Sequence, residues 1–586
     1  MHISIIASDF DGTISQGERL APKVRRALHH WRQRGQFTVL VSGRPFDFLH
    51  ALQEREQVFD LIVAENGAVL YNPVNDAMAL PFGHVPEELL HTLAQVGVPL
   101  WKGTAIAGTQ MPYDDAVWVA SRELGLPVHV EVNRNEVMVL PPGVSKGAGL
   151  LNLLKSEGLS VRNLVAFGDA ENDHSLLEIA EVKVAVANAI DALKNLADYV
   201  IPEEGPGGVA AFIDHYLLGE AGFDFPVRGA HHFTIDAAAE IEVNAYQMVD
   251  RNLLIVGGSG YGKSWLASRL AGGLIDGGYQ LLGLDPVGDL NALRRHATCL
   301  CLGREELPPT SLVVELLAET DMSLVVDLSQ APTPEESVLY TAGLLRRVLE
   351  VHRRYGKPHW LVIDEAQDLL GGPHNPAWLS LLRASQAPGV CLVTWQPSRL
   401  DMTILDAMDG FLLTRHQLTP EVDCLADVLS KRGIGVTGLG EELGTLGEGR
   451  AVMWGGVDSS QDSDLLVPFK FSIGPRTFPE MHRLHRYLEE KVAPSRQFYF
   501  HDEVGRTPPA GNLREMIDRI HTLDLQVIQF HFQRGDFARW VRGVLRDETL
   551  ARWLDRLHAT DLTGESLRQA LLEALEQRHH VLERVF

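Results

Sequence analysis

Asp9 and Asp11 stand two residues apart in Asp9-Phe10-Asp11-Gly12-Thr13, directly after the apolar run Ile3–Ser8. Side chains alternate along an extended strand, so positions i and i+2 aim both carboxylates into one crevice. One can attack phosphorus while the other gives a proton to the leaving oxygen. Two carboxylates beside a phosphate repel, so the pair calls for a divalent cation. The plain alternative is an Asp-Gly turn at a strand end.

Three further segments offer what such a reaction needs. Ser42-Gly43-Arg44-Pro45 follows the strand-like Phe37–Val41 and can cradle a phosphate with a hydroxyl and backbone N–H groups. Pro141-Pro142-Gly143-Val144-Ser145-Lys146-Gly147 opens an amphipathic stretch, placing the Lys146 ammonium in a first helical turn where it can neutralise a phosphoryl oxygen. Leu164–Phe167 runs into Gly168-Asp169-Ala170-Glu171-Asn172-Asp173, whose carboxylates suit oxygen-ligated Mg²⁺. Each segment alone has a bland equivalent: a turn, an exposed lysine, an N-cap aspartate. All four fall at the C-terminal ends of expected parallel strands, the edge where open α/β sheets bind ligands.

This set of motifs, in this order, resembles the haloacid dehalogenase superfamily, and within it the Cof-type phosphatases with a C2 cap. Ala64-Glu65-Asn66-Gly67-Ala68, Val186-Ala187-Asn188-Ala189 and Ala197-Asp198-Tyr199-Val200 add to the likeness, which spans about residues 1–217. The resemblance implies a Rossmannoid parallel-sheet core over 1–71 and 143–217 with a small α+β cap over 72–142. It implies that Asp9 forms an aspartyl-phosphate and that Asp11 acts as general acid, then base. Ser42 and Lys146 would bind the transferring phosphoryl group, and Asn172 would support it or the acid loop. Mg²⁺ would be held by Asp9, the backbone carbonyl of Asp11, Asp169 and Asp173. The cap's basic residues are Lys102, Arg122 and Arg134, a set that suits a small phosphorylated molecule better than a polymer.

A second constellation follows the apolar run Leu253–Val256: Gly257-Gly258-Ser259-Gly260-Tyr261-Gly262-Lys263-Ser264. Glycines here let backbone N–H groups wrap a β-phosphate, Lys263 reaches the β/γ oxygens, and the Ser264 hydroxyl faces Mg²⁺. The acidic partner is expected after Trp360–Ile363, with Asp364 in the metal shell and Glu365 activating water. Asp327, after Ser323–Val326, competes but lacks an adjacent glutamate.

Other segments resemble the HerA/FtsK-type motor ATPases with VirB4-like members: Leu282-Gly283-Leu284-Asp285-Pro286, Asp364-Glu365-Ala366-Gln367 and Thr394-Trp395-Gln396-Pro397-Ser398. The resemblance covers about 230–471 and implies a RecA-like α/β domain over 241–471 that binds ATP. It makes Gln396 a γ-phosphate sensor, Arg415 an arginine finger acting across a subunit interface, and a homo-oligomer, as a hexameric ring, the expected assembly. In such motors a β-barrel usually precedes the P-loop; here the phosphatase-like segment stands there.

Residues 218–240 read as a linker, and 478–586 as a mainly helical domain rich in Trp, Arg and His. There His531, Arg534 and Asp536 read as a structural polar cluster beside Phe537 and Trp540, which share a helix face. The chain has 586 residues, 45% apolar and 22% charged, enough for several cores. Its net charge of −25 disfavours nucleic acid and anionic membranes as partners. No apolar run approaches the roughly eighteen residues of a spanning helix, no leader is legible at the N-terminus, and four cysteines suggest no disulfide framework. A cytoplasmic setting is expected. The leading functional expectation is a Mg²⁺-dependent phosphomonoesterase fused to an ATPase. The alternatives are a nucleic-acid end-processing machine and an ATP-dependent assembly or sensor protein.

Overall fold

The computed structural model describes residues 3–585 apart from 134, 220–222, 228–230, 237–240, 259, 304–305, 372–387, 448, 455–468, 474–496, 501–507, 546 and 559–561. Ser259 of the glycine-rich loop and Arg134 of the cap segment therefore lie outside the described residues, as does the start of the C-terminal segment at 478.

The segments Ile5–Ser8, Phe37–Val41 and Leu61–Ala64 are almost wholly aliphatic and buried. Continuous apolar runs of this kind satisfy strands covered on both faces, as parallel sheets require. Among the described residues they join an eight-stranded sheet in the order Tyr199–Val200, Val182–Ala185, Leu164–Gly168, Ile5–Ser8, Phe37–Val41, Leu61–Ala64, Val69–Asn72, Ala77–Ala79. The first six run parallel, and the last two turn back antiparallel. Ala77–Ala79, inside the segment expected to be cap, thus extends the core sheet. Beyond it comes a separate antiparallel four-stranded sheet, His129–Asn133, Glu136–Leu140, Ala107–Gln110 and Trp101–Lys102, with helices Glu87–Gln95 and Asp114–Leu124 on a small core of its own.

A nine-stranded sheet follows in the order Cys299–Leu302, Ser323–Asp327, Leu281–Asp285, Trp360–Ile363, Gly389–Thr394, Leu253–Val256, Gly410–Thr414, Arg450–Trp454, Phe469–Ser472. Only the last two strands are antiparallel to their neighbours. Cys299–Leu302 and this antiparallel edge are additions to the expected strands. The expected linker is partly structured: His232–Thr234 pairs with Glu242–Asn244, and Phe233 packs on the second core. The C-terminal region is a cluster of helices around Phe498, Phe537, Leu571 and Leu575, with Phe537 and Trp540 both buried in it.

The two large sheets meet at the N-terminal ends of their strands. Asn163, just before Leu164–Gly168, accepts at Oδ1 from His359 Nε2 at 3.1 Å, just before Trp360–Ile363. Tyr279 donates its hydroxyl hydrogen to Glu181 Oε1 at 2.5 Å, and Arg162 donates to Glu181 Oε2 at 2.8 Å. No helix of the described residues is long and apolar enough to cross a membrane.

Candidate functional site

Three adjacent strand ends build the first site. Asp169 follows Leu164–Gly168, Asp9 follows Ile5–Ser8, and Ser42 follows Phe37–Val41, so the three stand side by side at the sheet's C-terminal edge. Lys146 begins the helix Lys146–Ser156, capped by Ser145, whose Oγ accepts from Ala148 N at 3.1 Å. That helix sits low against the core because Gly67 and Gly149 touch: a Cβ on Gly149 would lie 2.4 Å from Gly67 Cα. The result aims a fully buried ammonium at the strand ends. Lys146 Nζ donates to Asp9 Oδ1 and Asp173 Oδ1, each at 2.6 Å.

Asp9, Asp169 and Asp173 are all buried, and each offers an oxygen within 4.8 Å of the others. Burial, reinforced by Asp173, pushes the Asp9 carboxyl well above its usual range, while Lys146 pulls it down. Lys146 gains from both carboxylates more than burial costs it, so its ammonium is held charged. Three buried carboxylates gathered around one ammonium form a set that a divalent cation fits. Asp173 has a second duty: its Oδ2 accepts from the backbone N–H of Asp169 and Ala170 at 2.9 and 3.0 Å. At Gly12, φ is +79° and a Cβ would stand 2.3 Å from Asp169 Oδ2, so only glycine lets the Asp9 loop pass this carboxylate.

Asp11 is not in the buried cluster. Its side chain is half-exposed and held by Arg44, whose Nε and Nη2 donate to Oδ2 and Oδ1, both at 2.8 Å. Arg44 was legible only as part of a turn, and this fork is what the sequence reading missed. Asn188 is a second such residue, donating to Asp169 Oδ2 at 3.3 Å and to Gly12 O at 3.1 Å. Asn172 donates to Asn66 Oδ1 at 3.1 Å, and Asn66 in turn donates to Glu131 Oε2 of the cap at 2.8 Å.

The second site lies on the nine-stranded sheet. Gly257 and Gly258 follow Leu253–Val256, Gly260 and Gly262 take positive φ of 84° and 101°, and Lys263 and Ser264 open the helix Lys263–Asp276, both buried. A Cβ on Gly257 would lie 1.8 Å from Thr414 Oγ1, so this turn too needs glycine. Asp364 stands two strands away, and its Oδ2 is buried with no partner among the described residues. Asp327, the competitor, is spent on its own turn: Oδ1 accepts from Ser329 N and Oγ, and Oδ2 from Asn291 Nδ2 at 2.7 Å. An orphaned, buried carboxylate oxygen such as that of Asp364 suits a cation.

Glu365 Oε1 lies 4.0 Å from Lys263 Nζ. Gln367, quoted in the sequence but given no role there, donates to Glu365 Oε2 at 2.6 Å and accepts from Thr394 Oγ1 at 2.6 Å. It ties the acidic loop to the strand that leads to Gln396, whose backbone N–H donates to Thr394 Oγ1. The Arg415 guanidinium lies 5.1 Å from the Tyr261 ring of the glycine-rich loop, and the Arg415 carbonyl accepts from Gly258 N at 2.7 Å. In the C-terminal cluster, His531 Nδ1 meets Asp536 Oδ2 at 2.8 Å beside Phe498 and Phe537, the structural arrangement expected there.

Residues 6–89 and 128–213 match the family model of haloacid dehalogenase-like hydrolases. Over 223 residues the chain is 30% identical to "Phosphoglycolate phosphatase 2" of Saccharolobus solfataricus, covering 37% of this chain and 94% of that relative. The chain belongs to the haloacid dehalogenase-like hydrolases. It is also 25% identical over 256 residues to "5-amino-6-(5-phospho-D-ribitylamino)uracil phosphatase YcsE" of Bacillus subtilis, covering 37% of this chain and 96% of the relative. Among solved structures, a haloacid dehalogenase-like hydrolase from Bacteroides thetaiotaomicron aligns with a TM-score of 0.32 and 21% identity, over 36% of this chain and 98% of that one. Residues 232–354 match the model described as "Helicase HerA, central domain", and residues 495–585 match a family of unknown function.

Proposed function

We propose that this hydrolase is a Mg²⁺-dependent phosphomonoesterase acting on small molecules, joined in one chain to an ATP-hydrolysing module. The observation that carries the reading is the buried set of Asp9, Asp169 and Asp173 around Lys146. Asp9 attacks phosphorus, forming an Asp9 O–P bond as the bond to the leaving alcohol breaks. Asp11 gives its proton to the leaving oxygen and then takes one from the water that cleaves the aspartyl-phosphate. Lys146 and Ser42 hold the phosphoryl oxygens, and the fixed Lys146 ammonium needs no rearrangement as negative charge shifts onto them. Asp9, Asp169, Asp173 and the carbonyl of Asp11 would hold Mg²⁺, which when bound supplies charge neutralisation for phosphate beside carboxylate.

In the second module, Gly257 to Ser264 would hold the ATP phosphates, with Ser264 and Asp364 positioned for Mg²⁺. Glu365, steered by Gln367, would orient the attacking water, Gln396 would sense the γ-phosphate, and Arg415 would serve as an arginine finger across a subunit interface. The curated relatives are phosphatases of different named substrates, so the leaving alcohol follows from the cap rather than from the core. A nucleic-acid role draws on the helicase match alone and runs against the net charge of −25.

A panel of phosphorylated metabolites and 3′- or 5′-phosphorylated oligonucleotides, assayed with Mg²⁺ or EDTA and with or without ATP, tests this. Mg²⁺-dependent turnover confined to the metabolites is expected, with ATP hydrolysis indifferent to added DNA. Preference for oligonucleotides and DNA-stimulated ATP hydrolysis would overturn it in favour of end processing.

A further inference from the structure

We propose that Glu131 of the cap selects phosphomonoesters whose alcohol part donates hydrogen bonds and carries no second anion, as polyol and sugar phosphates do. The inference rests on the phosphatase reading above and names its substrate class.

The cap is fixed over the site by a buried carboxylate. Glu65 accepts at Oε1 from Thr104 N at 2.8 Å and Phe46 N at 3.2 Å, and at Oε2 from Ala105 N and Ile106 N at 2.8 and 3.1 Å. With the hinge so held, the strand His129–Asn133 presents Glu131 to the core, where its Oε2 accepts from Asn66 Nδ2. Asn66 borders the phosphate cradle, since a Cβ on Gly43 would meet its Oδ1 at 2.9 Å and Asn172 Nδ2 at 3.7 Å. Burial raises the Glu131 carboxyl above its usual range, the charges of Lys146 and His129 pull it down, and that of Asp173 pushes it up.

Among the described residues, Glu131 forms no ion pair, and its Oε1 accepts no hydrogen bond. Among the described residues, the Arg44 guanidinium at this mouth is already matched by Asp11, with Glu18 and Glu136 also acting on it. Lys102 of the cap is paired with Glu87. The phosphoryl group has Lys146 and a cation site to receive it; a second anion on the alcohol would meet the Glu131 carboxylate instead. A hydroxyl donor supplies what Oε1 lacks.

Glycerol 3-phosphate and 3-phosphoglycerate test this as a matched pair, one ending in a hydroxymethyl group and the other in a carboxylate. The full chain with Mg²⁺ should favour glycerol 3-phosphate by about tenfold or more in kcat/KM, as expected for one unscreened like-charge contact. Because the readout is a ratio within each protein, losses of overall activity cancel. The preference should fall toward parity in Glu131→Gln, reverse in Glu131→Lys and persist in Glu131→Asp. A wild-type preference for 3-phosphoglycerate, which would mean that Arg44 leaves Asp11 to read the alcohol, overturns the proposal. So does a ratio that neither Glu131→Gln nor Glu131→Lys moves. A wild-type protein that hydrolyses no phosphomonoester, p-nitrophenyl phosphate included, removes the phosphatase reading itself.

Discussion

Lys146 holds two buried carboxylates apart from each other's charge. Without it, Asp9 and Asp173 would face one another in a dry site with nothing to balance them, and breaking a buried ion pair from one side costs about 3–5 kcal/mol. Lys146→Met should therefore lower the melting temperature of the metal-free protein by several degrees, and added Mg²⁺ should recover part of the loss. An unchanged melting temperature would show that the ammonium is not the counter-charge argued here. Asp9, Lys146, Asp169 and the glycine-rich loop were legible in the sequence because short spacings and strand ends constrain them. Arg44, Asn66, Asn188 and Glu131 were not, because their partners lie 33, 65 and up to 176 residues away and are chosen by how the cap and loops close.

At the scale of elements, strands were the readable part: their runs are largely apolar, and Asp9, Asp169, Gly257 and Asp364 stand directly after four of them. What escaped was edge pairing. Ala77–Ala79 is fully exposed and carries no buried face to announce it, so only its ladder with Val69–Asn72 defines it. The contact between sheets was equally silent, since His359 looks like any histidine before a strand. Gln280 N donates to its Nδ1 at 2.8 Å, so the ring proton sits on Nε2 and goes to Asn163. Burial, with His352 and Lys357 nearby, pushes this imidazole down to about 3 from its ordinary 6.5. Between those values the unfolded chain binds a proton that the folded one refuses, so stability falls as pH drops below about 6.5, by at most about 1.4 kcal/mol per unit. Above 6.5 this side chain contributes no pH dependence. Melting curves from pH 7 to pH 5 should show a steeper fall for the wild type than for His359→Gln. Equal slopes would mean that the histidine is charged in place.

At the scale of the molecule, both sheets offer their N-terminal strand ends to each other and their C-terminal ends, where the sites lie, away from each other. Two strand lengths of about 15 Å each separate the sites, so phosphate released at one does not pass directly into the other. Contacts across the seam include Asn163–His359, Arg162–Glu181–Tyr279 and the stacked rings of Phe37 and Tyr355. Gly356 guards that seam: its φ is +71°, and a Cβ there would stand 2.3 Å from Asn163 Nδ2. Gly356→Val should loosen the joint and separate one thermal transition into two, while leaving each site's own residues untouched. A single unshifted transition would show that the seam contributes little.

In the proposed function one chain holds two separate phosphate chemistries, with Asp9 the nucleophile of the first. Phosphate release from a phosphomonoester and from ATP, measured in the same preparations of wild type, Asp9→Asn and Lys263→Ala, tests it most directly. Asp9→Asn should lose at least about a thousandfold in phosphomonoester turnover, roughly the 4 kcal/mol expected when a covalent route is removed, and should keep ATP hydrolysis. Lys263→Ala should do the reverse. Full phosphomonoester turnover in Asp9→Asn would contradict the account.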